Sequence, residues 1–242
     1  VQKYRTVRST DTDYSELLVD TNVFGAGRDL IYDPDAYRWL ATRMSEAEAR
    51  LDLAAANDAI SAGAPVDASS MKTTSVLEDF AFFTRFAPTG PSRVLYVGGG
   101  AYPTIALHAL ARYPDLTLDS IDIVPHCTVL CEQLAMALGL SERLRAETLD
   151  VFDMGPGGEL AAYDGIFVSS AVRPKNEILT HLLGHKRPGT PVYAREDEAH
   201  PLFYEPVTVD HPDLTSARMA RAAWAAEHGE PFPLPRGCET DG

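Results

Sequence analysis

Cysteine is scarce in this chain, with three in 242 residues. That excludes a disulfide framework as the source of its stability and suits a reducing compartment. Cations are also few: 21 Lys and Arg stand against 35 Asp and Glu, a formal charge of −14. A nucleic-acid partner needs clustered Lys and Arg to displace counterions, so this balance argues against one. No apolar run reaches the roughly 18 residues of a membrane span, and no leader peptide is evident at the N-terminus. A cytoplasmic protein with no membrane partner is expected. Cys127 and Cys131 sit four residues apart, but no matching His or Cys cluster supplies further metal ligands. Both read as small buried side chains, and no metal is expected.

What is present is a core. At 45% hydrophobic content, 242 residues can bury one large core, or one core with a smaller appended layer. The most informative stretch is Arg93-Val94-Leu95-Tyr96-Val97-Gly98-Gly99-Gly100-Ala101-Tyr102-Pro103-Thr104. A strand-length apolar run meets three glycines, and then Ile105, Ala106, Ala109 and Leu110 recur at helical spacing. Strand, glycine turn and helix in that order let backbone approach a ligand with no Cβ in the way, beside the free N–H groups of a helix start. The next strand pattern, Leu116 to Asp122, ends in a carboxylate 24 residues after Gly98. A carboxylate there accepts both ribose hydroxyls of a nucleoside. Gly98, Gly99, Gly100, Ala101, Asp122 and its neighbour Ile123 are therefore candidate nucleoside contacts. A tight strand-to-helix connection with no ligand is the alternative.

Before residue 91 the chain reads as helices. Asp33-Pro34 opens one, Ser45 and Glu48 form a capping-box pair for a second that Gly63-Ala64-Pro65 ends, and a third runs from about Ser75 to Phe86. These suggest an N-terminal helical cap, with Tyr4, Tyr14, Tyr32 and Glu78 as its polar and aromatic candidates. After Pro88-Thr89-Gly90-Pro91, strand and helix patterns alternate as a parallel sheet requires. Expected are a helix from Thr104 to Tyr113, one near Val129 to Leu138 closed by Gly139, and a strand from Leu144 with Asp150 at its tip. A buried strand ending at Ser169-Ser170, a helix from Asn176 to Leu183 and a strand ending at Arg195 follow. From Asp213 to Gly229 the pattern looks helical. Asp150 either accepts from an adenine amino group, with Val151 or Phe152 over the ring, or caps a turn.

This order of elements resembles the class I S-adenosylmethionine-dependent methyltransferase fold, a Rossmann-like α/β architecture. Most members have a further glycine where this chain has Tyr102-Pro103. The loop Gly98-Gly99-Gly100-Ala101-Tyr102-Pro103 is instead similar to that of the nicotianamine synthase family, as are Tyr163 to Val172, Arg187-Pro188-Gly189 and Phe203-Tyr204-Glu205-Pro206-Val207. The resemblance covers residues 91–207 and implies an S-adenosylmethionine-binding domain there; the helical patterns on either side read as a cap over residues 1–90 and a C-terminal helix and tail over 208–242. It also implies chemistry on the 3-amino-3-carboxypropyl arm, with release of methylthioadenosine.

All three carbons on the sulfonium are electrophilic, so the product depends on which nucleophile is held in line about 3–3.5 Å from which carbon. Cyclisation to azetidine-2-carboxylate is the first expectation and the cyclopropane amino acid the second. Transfer to an external amine, methyl transfer, and nucleotide binding without turnover are the alternatives. Tyr102 either meets the arm and its sulfonium or packs under the cap. Arg195 either grips the arm's carboxylate or pairs with Glu196 or Asp197. Ser169 and Ser170 either hydrogen-bond the arm's amine or satisfy the strand end, and His200 and Tyr204 are candidate proton acceptors. The C-terminal stretch departs from the family, which continues into further sheet, and a homodimer contact there is one expectation.

Overall fold

The computed structural model describes residues 53–64, 92–155, 157–196 and 205–216, together with residues 219, 222, 226 and 229. The expected helices opened by Asp33-Pro34 and running from Ser75 to Phe86 lie outside the described residues, as do Tyr4, Tyr14, Tyr32 and Glu78. Everything below concerns the compact unit of residues 49–242.

Helix α1 covers residues 53–62. Gly63 ends it at φ 61°, where the amides of Gly63 and Ala64 close back onto the carbonyls of Ile60 and Ala59, both at 3.3 Å. Two such reverse bonds satisfy carbonyls that the helix leaves open, and the left-handed residue between them is why glycine stands there. The chain then builds β1 (Ser92–Val97), α2 (Thr104–Arg112), β2 (Leu116–Asp122), α3 (Pro125–Ala137) and β3 (Leu144–Thr148). Two short 3₁₀ turns, Val151–Asp153 and Glu159–Ala162, lead to β4 (Gly165–Val168), α4 (Lys175–His185), β5 (Val192–Ala194) and β6 (Leu214–Ser216). Helix α3 starts earlier than the apolar pattern suggests, because Pro125 at its first turn is already set to helical φ and lacks the N–H that would have no partner.

The strands form one six-stranded sheet in the order β3-β2-β1-β4-β5-β6, and all five pairings are parallel. Alternating side chains point to opposite faces. Val94, Tyr96, Leu118, Leu144, Phe167 and Tyr193 share a core with α1, α2 and α3. Leu95, Val97, Ile121, Ile166, Val168 and Leu214 share the other with α4 and the 3₁₀ turns. One residue before the strand ends, register aligns Tyr96, Phe167 and Tyr193 across β1, β4 and β5. The first two rings meet edge to face at 4.9 Å and the second pair stacks at 5.2 Å. Cys127 and Cys131 are buried and form no disulfide, and burial pushes the Cys131 thiol up to about 12. Cys238 lies outside the described residues.

One expectation is corrected here. Leu214–Ser216 is a strand, paired in parallel with Val192–Ala194, rather than the start of a helix. Lys186 holds it in place through an ion pair of 2.5 Å to Asp213. Helical residues follow only after Ser216, whose Oγ accepts from the Met219 amide at 3.3 Å. Three residues carry no period that separates strand from helix, so the sheet edge decides. The 3₁₀ turns were also not legible in the glycine- and proline-rich stretch around residues 155–158.

Reversal of strand order at β1 leaves a crevice between the tips of β1 and β4, where parallel sheets bind ligands. Gly99 packs against β2 at that point: a Cβ there would lie 2.0 Å from Ser120 Oγ and 3.3 Å from Ser120 Cβ. Gly99→Ala is expected to destabilise the fold by roughly 1–3 kcal/mol, the scale of overpacking, read as a lower urea midpoint. Adding Ser120→Ala should return part of the loss, and an unchanged midpoint in the single variant would refute the contact.

Candidate functional site

Two carboxylates and a glycine turn occupy one side of the crevice. Gly98 and Gly100 have φ of 74° and 64°, a region that residues with a Cβ rarely adopt. The Gly98 amide extends the β1–β2 ladder by donating to the Ile121 carbonyl at 2.8 Å. Asp122, at the tip of β2, then braces the turn. Its Oδ2 accepts from the Gly100 amide at 3.0 Å and its Oδ1 from the Val124 amide at 2.9 Å. Each carboxylate oxygen keeps a further acceptor site, so Asp122 can hold the turn and still receive hydroxyls. Ala101 is fully buried behind it. Helix α2 follows with no side-chain cap on its first turn.

At the tip of β3, Asp150 accepts from the Phe152 amide at 3.0 Å and caps the first 3₁₀ turn. Of the two residues expected to cover an adenine, Val151 is core at 4% exposure, whereas Phe152 is 39% exposed. Ile123 and Val124 are open beside it, at 69% and 45%. Exposed apolar side chains next to two carboxylates suit a flat heterocycle that carries hydroxyl and amino groups. Tyr102 belongs to the core shared with α1 and α2, with 4% exposed.

The β4 side of the crevice is built differently. Ser169 and Ser170 are both buried. The Ser169 amide donates to the Val97 carbonyl at 3.0 Å, and a Cβ at Gly98 would lie 2.3 Å from Val172 Cγ2. The β4 tip thus packs directly on the glycine turn. Arg195 is half-buried. Its expected surface partner Glu196 is buried at 6% exposure, with Oε1 accepting from the Val207 amide at 2.8 Å, so it is part of the interior. His200 and Tyr204 lie outside the described residues.

Sequence reasoning missed Lys175 and Glu205. Lys175 is fully buried at the start of α4, and its Nζ donates to the carbonyls of Ser170 at 2.8 Å and Arg195 at 2.9 Å. Glu205 accepts from the Lys175 amide at 2.7 Å, the Asn176 amide at 3.2 Å and Asn176 Nδ2 at 2.8 Å. It neutralises the open end of α4, as acids do at helix starts. Burial lowers the lysine to about 8, against attraction from Glu196 and Glu205. With the folded value below the ordinary 10.5, the unfolded chain binds more protons between those limits, so stability rises with pH across that interval. A charged Lys175 is a burden on the fold at neutral pH. The signal available in the sequence was a lysine directly after Arg173-Pro174, with a glutamate inside the quoted Phe203-Tyr204-Glu205-Pro206 stretch.

A separate groove of about 660 Å³ runs along the β3 edge, lined by residues including Arg93, Asp119, Glu147 and Tyr163. Asp119 receives Arg93 Nε at 2.7 Å and the Tyr163 hydroxyl at 3.0 Å. Arg93, Asp119 and Tyr163 thus satisfy one another within it. Among the described residues, no three His, Cys, Asp or Glu side chains are placed to hold a metal ion, and no helix is long and apolar enough to cross a membrane.

Comparison with known proteins adds the family. The family model described as nicotianamine synthase protein matches residues 72–220. Nicotianamine synthase 8 of Hordeum vulgare is 29% identical over 144 residues, which are 56% of this chain and 43% of that protein. The chain therefore spans less than half the length of that relative. The structure of MtNAS in complex with MTA and tNA superposes with a TM-score of 0.59 at 16% identity, over 85% of this chain and 83% of that one. A mutant of MtNAS in complex with S-adenosylmethionine gives 0.55 at 16% identity, over 77% and 73%. The fold is the class I methyltransferase-like one. Because the matched segment takes in every strand of the sheet and both sides of the crevice, the chain belongs to the nicotianamine synthase family.

Proposed function

We propose that this protein transfers the 3-amino-3-carboxypropyl arm of S-adenosylmethionine to the nitrogen of an external amine and releases methylthioadenosine. The observation that carries the reading is the family match across residues 72–220, which favours transfer over the cyclisation expected first from sequence. The residues fit such a substrate. Asp122 has free acceptor sites for ribose hydroxyls. Asp150, Ile123 and Phe152 combine an acceptor with exposed apolar surface for the adenine. The positive-φ turn of Gly98 to Gly100 brings backbone close to the arm without side chains in the way.

On the β4 and β5 side, Ser169, Ser170 and Arg195 provide hydroxyls and a cation for the arm's amine and carboxylate. Tyr204 is assigned to the acceptor's proton. In the step itself, the amine lone pair forms a bond to the arm carbon attached to sulfur, the carbon–sulfur bond breaks, and its electrons leave on sulfur as a neutral thioether. The new ammonium then passes a proton to water, with Tyr204 as the relay. The departing group is neutral and needs no acid to leave, so the protein's contribution is alignment and exclusion of competing nucleophiles. The same alignment decides against the methyl carbon.

Two measurements test this. Mass spectrometry of the protein with S-adenosylmethionine, alone and with a panel of amino acids, is expected to give methylthioadenosine together with a product bearing the aminocarboxypropyl group on nitrogen. A small cyclic amino acid as sole coproduct would restore cyclisation, and S-adenosylhomocysteine would mean methyl transfer. Calorimetry of Asp122→Ala should show S-adenosylmethionine binding weakened by about 1–3 kcal/mol, the scale of hydrogen bonds to a charged group. An unchanged dissociation constant would remove Asp122 from the site.

A further inference from the structure

An ammonium without water around it is one of the least favourable groups to bury, and the first turn of a helix, where the backbone dipole is positive, is an unfavourable place to bury it. Lys175 is in both situations: it opens α4 and none of it is exposed. Packing alone does not call for a cation here, since a methionine fills similar space without the desolvation. What the ammonium does is join two strand tips. One hydrogen bond runs to the Ser170 carbonyl just beyond β4 and one to the Arg195 carbonyl just beyond β5.

The β4 tip is held from its other side by the Ser169 amide on Val97 and by Val172 against Gly98. The Arg195 amide in turn donates to the Val168 carbonyl at 2.9 Å. Glycine turn, β4 tip, Lys175 and β5 tip therefore form one continuous chain of contacts across the crevice. The charged groups that act on the ammonium are Glu196 beyond β5, Glu205 in the segment before β6, Arg173 before α4, and Arg195. Two acids draw it in and two bases oppose it.

We propose that Lys175 is a positioning residue of the transfer site, a latch whose ammonium ties the Ser170 and Arg195 carbonyls and so sets the spacing of the β4 and β5 tips where the arm and its acceptor meet. The assignment of that side of the crevice rests on the transfer reading above. Lys175 acts through Ser170 and Arg195 and does not touch the substrate. Two of its three protons are held by backbone carbonyls, which is the arrangement of a donor and not of a base. Lys175 ties the tips of β4 and β5, whereas Asp122 and Asp150 stand at the tips of β2 and β3, so the latch bears on rate and leaves adenosine recognition alone.

Full-chain Lys175→Met and Lys175→Arg variants test this by two independent readouts. Hydrogen exchange followed by mass spectrometry is expected to show the amides of Ser169 and Arg195 exchanging at least about tenfold faster in Lys175→Met, with β1 and α2 unchanged, because only the local opening is eased. Methylthioadenosine formation in the same variant should lose about 10–100-fold in kcat while the KM for S-adenosylmethionine stays within about threefold, the pattern of lost alignment. Lys175→Arg, which keeps charge and donors, should recover most of both. Unchanged exchange at the two tips overturns the latch whatever the enzyme does. A loosened tip with unchanged kcat overturns its role in the reaction. If Lys175→Met does not fold, Lys175→Arg decides: restored folding with restored rate supports the latch, and restored folding without rate overturns it. Failure of both to fold would make Lys175 a residue of the core and overturn it as well. Absence of methylthioadenosine from the unaltered protein with every amine would instead sink the transfer reading, and the exchange experiment would still report on the latch.

Discussion

The bond from Asp122 to the amide of Gly100 is the constraint on which the rest of the site depends. It joins the tip of one strand to the turn that leaves its neighbour, beside the point where the strand order reverses. Without it, three consecutive glycines would have wide conformational freedom and a large entropy to lose on ordering. With it, the turn has a defined shape, its backbone is open to a ligand, and α2 starts from a fixed place. A carboxylate is well suited to the task because it accepts several bonds at once. The same group can organise the protein and receive a substrate.

The two sides of the crevice differ in physical character. The β2 and β3 tips carry Asp122, Asp150 and exposed Ile123 and Phe152, half solvated and accessible. The β4 and β5 tips are tied internally, with Ser169, Ser170, Glu196 and Lys175 all buried. A division of this kind fits a substrate with two demands. The nucleoside needs complementary surface, and the reacting arm needs to be held still. Rate in a displacement with a neutral leaving group comes from geometry, so rigidity on the second side is where catalytic benefit is expected.

A formal charge of −14 makes the interior lysine more notable. The chain has few cations, and one of them is withdrawn fully from water at a helix start. Groups that burden a fold in this way are often retained for function. The correction at the C-terminus belongs to the same region. Leu214–Ser216 adds a strand beside β5, and this sheet edge backs the segment from which Glu205 reaches α4. The departure from the family inferred from a helical pattern is smaller than the sequence suggests, since the family match runs to residue 220.

Local pattern alone determined much of this protein. The strand from Leu116 to Asp122 matches its expected limits, because it alternates cleanly and is bounded by turn residues. The glycine turn and the C-terminal stops at Gly63 and Gly139 were legible because positive φ selects glycine. Asp122 was legible because strand tips line up along one edge of a parallel sheet. Other features were decided only by tertiary structure. Whether Leu214–Ser216 is strand or helix depended on a free edge at β5, and the burial of Tyr102 depended on α1 and α2 sharing its cluster. Lys175 and Glu205, 30 residues apart, meet only because β5 lies beside β4. Period and turn chemistry are properties of neighbouring residues and are written in the sequence; the partners of a buried charge are set by which distant segments the sheet brings together.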